Sequence, residues 1–170
     1  MSKKLSEVSV EELWELFPIL LTEHKDYWKK WFDEERLRLE FLCSRNHIIR
    51  ISHIGSTAVD TIWAKPIIDI LVEISGKYDM EELKKILICN GYLCMNQNEK
   101  RMSFNRGYME NGFAEKVFHL HLRYEGDNDE LYFRDYLTDY PDIAKEYEKI
   151  KSFPITDIKS NPNLLLDINL

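Results

Sequence analysis

The spacing of apolar positions divides the chain into helix-like and strand-like segments. From Lys25 to about Cys43, apolar side chains recur at helical spacing, which predicts an amphipathic helix. Apolar runs that alternate or are rich in β-branched residues predict strands at residues 47–54, 66–74, 92–95, 100–108 and 116–124. The last two runs flank Asn111-Gly112, and we expect them to pair as an antiparallel hairpin.

Start and stop signals delimit further helices. Pro18 is expected to end a short N-terminal helix, because its ring removes a backbone N–H donor. Three later helices are predicted to begin near Asp79, at Asp127 or Asn128, and near Pro141. The fold class is therefore predicted as α+β, with one mixed sheet of about four or five strands and helices packed against it.

Length and charge limit the classes of function. A chain of 170 residues fits a single domain, here residues 1–170 with an N-terminal helix in 1–17 and an irregular tail at 152–170. The formal charge of −7, from 23 basic and 30 acidic side chains, argues against a broad nucleic-acid surface, which needs a basic face. A local cationic pocket for a small polyphosphate remains compatible with it.

The chain is expected to be cytoplasmic, with no contact to a membrane. Its N-terminus lacks a convincing signal peptide, and no stretch approaches the length needed to span a membrane. The three cysteines form no CxxC motif and have an odd count, so they are predicted to be reduced thiols in the core. The oligomeric state is not defined by these features.

A glycine turn followed by an acid on a strand is the first candidate site. Gly55-Ser56-Thr57 joins the two predicted strands, and such a turn can offer backbone N–H groups to a phosphate. Asp69 is a lone acid in an apolar strand, where an ionised side chain is costly unless it is paired or bound to metal. Asp69 is therefore interpreted either as a ligand for the metal that accompanies a phosphate, or as an acceptor of N–H groups from the turn.

Two histidines on another strand extend the candidate site. His119 and His121 share a strand face with backbones about 6.6–7 Å apart, so both rings can reach one point. They are interpreted as metal ligands or, when protonated, as phosphate donors. Lys65, Arg101 and Arg134 are further candidates for neutralising a phosphate.

Two motifs resemble a known family. HIGSTAV at residues 53–59 and AKPIIDI at residues 64–70 are similar to the signature of the GrpB-like family. Further similarities cover roughly residues 18 to 151, in line with a single-domain assignment; they lie at Trp28, Phe32, Glu35, Phe118–His121, Phe133–Leu137, Pro141, Ala144, Tyr147 and Glu148. The family is placed by fold in the nucleotidyltransferase superfamily, so the resemblance implies a nucleotidyltransferase-like fold.

The resemblance also implies roles for particular residues. In the superfamily a Gly-Ser turn precedes two strand acids, spaced Asp-x-Asp or Asp-x-Glu, that hold Mg²⁺ for nucleotidyl transfer with a third acid from a neighbouring strand. Gly55, Ser56 and Asp69 match the first elements of this arrangement, which makes Asp69 the implied catalytic residue. Leu71 stands at the second acid position, and Glu73 is about 13 Å from Asp69, too far to share one ion.

Three functions follow from these residues. The leading interpretation is a protein that binds a nucleotide or another phosphorylated small molecule, with one Mg²⁺ or Mn²⁺ at Asp69, and that catalyses nucleotidyl or phosphoryl transfer if it is an enzyme. The first alternative is an inactive binding or regulatory module, which Leu71 favours. The second is a metal-dependent hydrolase that uses Asp69 with His119 and His121.

The chain also departs from the family pattern. Val59-Asp60-Thr61 replaces the usual Val-Pro-Gly, and the lysine-bearing helix expected to continue after Lys151 is replaced by a different sequence. If that final helix contacts substrate in the family, we expect the contact to be missing in this chain.

Overall fold

The computed structural model describes residues 16–18, 20–43 and 47–151. Most of the predicted N-terminal helix in residues 1–17 and the whole predicted tail at 152–170 lie outside this part. In chain order the elements are α1 (Tyr27–Leu42), β1 (Ile48–Ile54), a 3₁₀ turn (Ser56–Ala58), β2 (Ile67–Ile74), α2 (Met80–Cys89), β3 (Leu93–Gln97), β4 (Arg101–Met109), β5 (Gly112–Tyr124), α3 (Asp129–Asp139) and α4 (Pro141–Lys151).

The strands form a mixed five-stranded sheet in the order β1-β2-β5-β4-β3. Strands β2 and β5 are parallel, and the other neighbours are antiparallel. The predicted α+β class, the mixed sheet and the hairpin are confirmed. In the register of the sheet, Asp69 is flanked by Ile54 of β1 and His119 of β5, which brings the turn after β1 and the histidine strand to one acid.

Asp79 forms a side-chain cap, Asn128 does not, and the predicted hairpin turn is displaced. Asp79 caps α2 by accepting from the Glu81 N–H at 2.9 Å. Asn128 stands at the N-cap position of α3, but its side chain makes no cap hydrogen bond. It donates instead to Glu73, 55 residues away. In the hairpin Gly112 pairs with Met109, so the turn residues are the two before Gly112 and the predicted Asn111-Gly112 turn is displaced by one residue.

Helices cover both faces of the sheet. On the first face, β2 presents apolar side chains that pack against α1 and α2. The β2 residues of this first face are Ile68, Ile70, Val72 and Ile74, and the helix residues against them are Trp28, Phe32, Leu39, Met80, Leu83 and Leu87. The second face has a smaller apolar patch, in which Leu71 packs with Ile54 and with Leu131 of α3. The alternation in β2 also places the two acids Asp69 and Glu73 on this second face.

The cysteines are all free, but the prediction that all are core thiols is wrong. Cys43 is buried at the end of α1, Cys94 is half-buried in β3, and Cys89 is exposed at the end of α2.

Candidate functional site

The turn after β1 packs directly against the acid of β2. Gly55 has φ +71°, a conformation that side chains other than glycine rarely adopt. A Cβ atom added to Gly55 would lie 2.4 Å from Asp69 Oδ2. Both the backbone angle and the close approach therefore require glycine at this position, and they set Asp69 beside the turn.

Buried side chains brace the turn from behind. Thr57 Oγ1 donates to the Ile67 carbonyl at 3.2 Å and lies 2.9 Å from His53 Nε2. Burial lowers the pKa of His53 to about 4, so its ring is neutral near pH 7. Arg134 Nη1 donates to the His53 carbonyl at 2.8 Å, and its other nitrogens contact Asp135. The contacts of Thr57 and Arg134 thus fix the shape of the turn.

Asp69 is held by the two histidines. His119 Nδ1 lies 3.4 Å and His121 Nε2 lies 3.8 Å from Asp69 Oδ1. Burial by itself raises the pKa of Asp69, but hydrogen bonding with the two imidazoles outweighs burial and holds the pKa well below its usual range. The ion-pair contacts that the structure gives Asp69 come from these rings rather than from backbone N–H groups of the turn.

Two lysines lie close enough to Asp69 to interact with its charge. Lys151, at the end of α4, donates through Nζ to Ser56 Oγ and lies 4.9 Å from the centre of the Tyr147 ring. Burial lowers the pKa of Lys151 to about 8, although the charge of Asp69 opposes the shift. Burial also lowers the pKa of Lys65, again against the charge of Asp69. Two amines thus share this region with one carboxylate, which leaves a local excess of positive charge suited to an anion.

The structure does not bring Arg101 to this site. Arg101 pairs across the sheet with Arg123, which is level with Glu73, four residues along β2 from Asp69. Its Nε and Nη2 donate to Asp127 at 2.8 and 2.6 Å. Strand rise alone puts the level of Arg101 about 13 Å along the sheet from that of Asp69. The strand register therefore places Arg101 beside Glu73 and away from Asp69, and this corrects the prediction that Arg101 binds phosphate at the Gly55 turn.

The donors at Asp69 fit a divalent ion only together with a ligand. Leu71 supplies no oxygen, and no group of three or more His, Cys, Asp or Glu side chains in the described segments is arranged to hold a metal ion. Mg²⁺ usually keeps several waters and binds one or two carboxylates plus phosphates of the substrate. Asp69 fits an ion of that kind, one that arrives with a phosphate.

A cavity of about 400 Å³ lies elsewhere, beneath α1. Its lining includes Trp31, Glu35, Arg106 and Phe118, and Phe118 belongs to the core on the first face of the sheet. The cavity is therefore on the opposite face from Asp69 and is not part of the candidate site.

Sequence reasoning missed three residues that complete the site. Lys151 was placed correctly in a helix, but no local pattern connects it to Ser56, 95 residues earlier. Tyr108 contacts His119, and Arg123 contacts His121. The alternation of β5 could have indicated Arg123, since it shares the histidine face. Tyr108 gave no signal, because a bulge at Gly107 alters the register before it.

Comparisons with known proteins agree on one family. The family described as GrpB protein matches residues 18–161. The chain is 35% identical over 131 residues to UPF0157 protein YqkA of Bacillus subtilis (strain 168), covering 75% of this chain but 37% of that protein. It is 34% identical over 139 residues to the glutamate-rich protein GrpB of Alkalihalophilus pseudofirmus, covering 78% of this chain and 79% of that protein.

A solved structure supports the same relationship. The crystal structure of conserved protein GrpB from Enterococcus faecalis superposes with a TM-score of 0.66 at 28% identity, covering 84% of this chain and 85% of that one. Across residues 16–18, 20–43 and 47–151, no helix combines the length and apolar character that crossing a membrane requires. With the family match over residues 18–161, these likenesses establish that the chain belongs to the GrpB protein family.

Proposed function

We propose that this protein binds a nucleotide or another phosphorylated small molecule at the Gly55 turn, together with one Mg²⁺ or Mn²⁺ ion. The observation that carries the proposal is the contact of Lys151 with Ser56, in a region that also holds Lys65 and Asp69. Partly buried amines attract an anion more strongly than exposed ones, because solvent and salt screen them less. A small ligand also suits a chain of formal charge −7, whereas a nucleic-acid backbone needs a broad basic face.

Each residue has a distinct role in this proposal. Lys65 and Lys151 neutralise the phosphate, and Ser56 contributes its hydroxyl as Lys151 moves from it to the ligand. Thr57 and Arg134 keep the turn in shape through their contacts with His53 and Ile67. Asp69 holds the divalent ion, which supplies neutralisation of charge on the phosphate when it is bound.

Nucleotidyl or phosphoryl transfer is the second candidate function. The position of Asp69 beside the Gly55 turn favours it, because a carboxylate there can hold the ion that accompanies a transferred phosphate. Leu71 favours binding or regulation without transfer, since two-ion catalysis needs more carboxylate ligands than Asp69 alone provides. The hydrolase alternative gains no support from His119 and His121, whose ring nitrogens contact other side chains. A cytoplasmic location stays a prediction.

A ligand panel with lysine variants tests the proposal. Isothermal titration of the full chain with ATP, UTP and sugar phosphates, each with Mg²⁺ or Mn²⁺, should find at least one ligand that binds. Lys151→Met keeps the aliphatic stem but removes the charge, and we expect it to weaken that ligand at least about tenfold, or about 1.4 kcal/mol. Production of pyrophosphate or phosphate in the same mixtures separates transfer from simple binding.

Lys149→Met is the matched control. Lys149 lies on the same helix, is exposed, and pairs with Glu146 at 2.6 Å, so its removal should leave affinity within about twofold. Absence of binding by the wild-type chain across the panel, or an equal loss in both variants, would contradict the proposal.

A further inference from the structure

Both nitrogens of each site histidine have a polar neighbour. His119 directs Nδ1 towards Asp69 Oδ1 and has Nε2 2.8 Å from the Tyr108 hydroxyl. His121 directs Nε2 towards the same Asp69 oxygen and has Nδ1 3.4 Å from Arg123 Nη2. The two rings therefore contact one oxygen through opposite nitrogens.

The neighbour of His121 fixes where its proton lies. A guanidinium is a donor with no acceptor atom, so the ring nitrogen that faces Arg123 has to be the one with the lone pair. In a neutral imidazole the other nitrogen then carries the hydrogen. His121 consequently presents an Nε2–H group to Asp69.

Arg123 is held firmly enough to impose this arrangement. Its side chain is 7% exposed, and Nη1 donates to the carbonyls of Met102 at 3.2 Å and Leu122 at 3.1 Å. Glu130 lies 3.5 Å from Nη2 on the remaining side. A guanidinium that turned away from His121 would lose its contacts with both carbonyls and with Glu130.

His119 also presents an N–H group to Asp69, but from Nδ1 instead of Nε2. An ionised carboxylate accepts hydrogen bonds and repels a ring lone pair, so Nδ1 carries the hydrogen that faces Asp69. The hydroxyl of Tyr108 can donate to Nε2, which occupies that nitrogen as well. The Tyr108 ring also stacks on His119, with centroids 5.9 Å apart.

We propose that His119 and His121 are positioning residues that present N–H groups to Asp69 and do not ligate the metal. A nitrogen that ligates a metal must direct a lone pair at it, and here the nitrogens nearest Asp69 carry hydrogens. The two N–H groups face Oδ1 from 3.4 and 3.8 Å, while Oδ2 packs against Gly55. The inference rests on the proposed function only in taking Asp69 as the acid of the site.

Nitrogen NMR of the histidine rings tests the proton positions without any ligand. Long-range ¹H–¹⁵N spectra at pH 7.5 should show a hydrogen on Nδ1 of His119 and on Nε2 alone of His121. Addition of Zn²⁺ should leave both patterns unchanged. A lone pair on either nitrogen that faces Asp69, a doubly protonated His121, or loss of either of these ring hydrogens on addition of Zn²⁺ would overturn the proposal.

Isosteric variants separate donation from ligation. Asn places an amide N–H near the position of His Nδ1, and Gln places one near His Nε2. We expect His119→Asn and His121→Gln to keep Mn²⁺-ATP affinity within about threefold of wild type, and the Ala variants to lose about tenfold. An equal loss in the isosteric and Ala variants would overturn the inference. If wild type binds neither Mn²⁺-ATP nor Mn²⁺-UTP nor a sugar phosphate with Mn²⁺, that result counts against the proposed function, while the ring spectra still decide the roles of the histidines.

Discussion

Asp69 and Glu73 lie on the same face of the same strand, four residues apart, yet their surroundings differ completely. The side chain of Glu73 is 2% exposed and that of Asp69 is 27% exposed. Glu73 accepts from Arg50 Nε at 2.5 Å, from Asn128 Nδ2 at 2.8 Å and from the Gly126 N–H at 3.3 Å. Asp69 has two histidine nitrogens at longer distances, with lysine amines nearby.

The difference separates a structural acid from an available one. Burial raises the pKa of Glu73, but its three donors outweigh burial and lower the pKa below the ordinary value. Those donors come from β1 and from the start of α3, so Glu73 joins distant parts of the chain. At Asp69 one oxygen faces the histidines and the other faces a turn with two amines close by. Incomplete pairing beside a local excess of cations is typical of a binding site.

The largest expected effect is the loss of stability in Glu73→Ala. Removing the carboxylate, whose side chain is 2% exposed, breaks its contacts with Arg50, Asn128 and Gly126 at once, which should cost about 2–4 kcal/mol of unfolding free energy. Urea denaturation measures it. Ligand affinity of the folded fraction should stay within about twofold, and a selective loss of binding without a loss of stability would break the comparison.

The second-largest expected effect is a loss of stability when Gly55, which packs against Asp69, is replaced. Gly55→Ala should cost about 2–3 kcal/mol of unfolding free energy, because φ is +71° and the new Cβ would lie 2.4 Å from Asp69 Oδ2. Gly126→Ala is the matched control, with φ +90° but nothing within 4 Å of the new Cβ, and should cost about 1 kcal/mol. Thermal unfolding of both variants measures the difference. Equal costs would mean that Asp69 does not confine the turn.

Asp69→Asn should affect ligand affinity strongly, whereas Glu73→Ala should affect stability more than affinity. We expect a smaller loss of unfolding free energy than in Glu73→Ala, about 1–2 kcal/mol, because the amide keeps the size of the side chain but lacks the charge that the histidines stabilise. Affinity for the phosphorylated ligand with Mg²⁺ should fall at least about tenfold. Titration calorimetry with and without Mg²⁺ checks this, with Arg101→Ala as a control that leaves affinity unchanged.

The smallest predicted effect is a dependence of ligand affinity on pH. Burial puts the pKa of Lys151 at about 8 rather than 10.5, so the amine loses its charge as pH rises through about 8. Phosphate groups are already ionised above pH 7, since their second pKa is about 6. Affinity should therefore fall about three- to tenfold from pH 7 to pH 9, and Lys151→Met should flatten the curve. A flat wild-type curve would remove Lys151 from the site.

Local patterns in the sequence determined the elements and the centre of the site. Alternation in β2 set Asp69 on the face opposite the apolar core, and the Gly55-Ser56 turn stands where the pattern placed it. The GrpB family match, over residues 18–161, includes both of these features. These features depend on residues close in the chain, where backbone geometry limits the choices.

Tertiary structure decided which distant residues join that centre. Strand register moved Arg101 to the Glu73 end and set Tyr108 and Arg123 against the histidines. Packing of α4 brought Lys151 to Ser56. Side-chain periodicity reports which face a residue occupies and does not report how far along a neighbouring strand or helix it lies. That second coordinate comes from pairing and packing of the whole chain, and here it separates the available acid from the structural one.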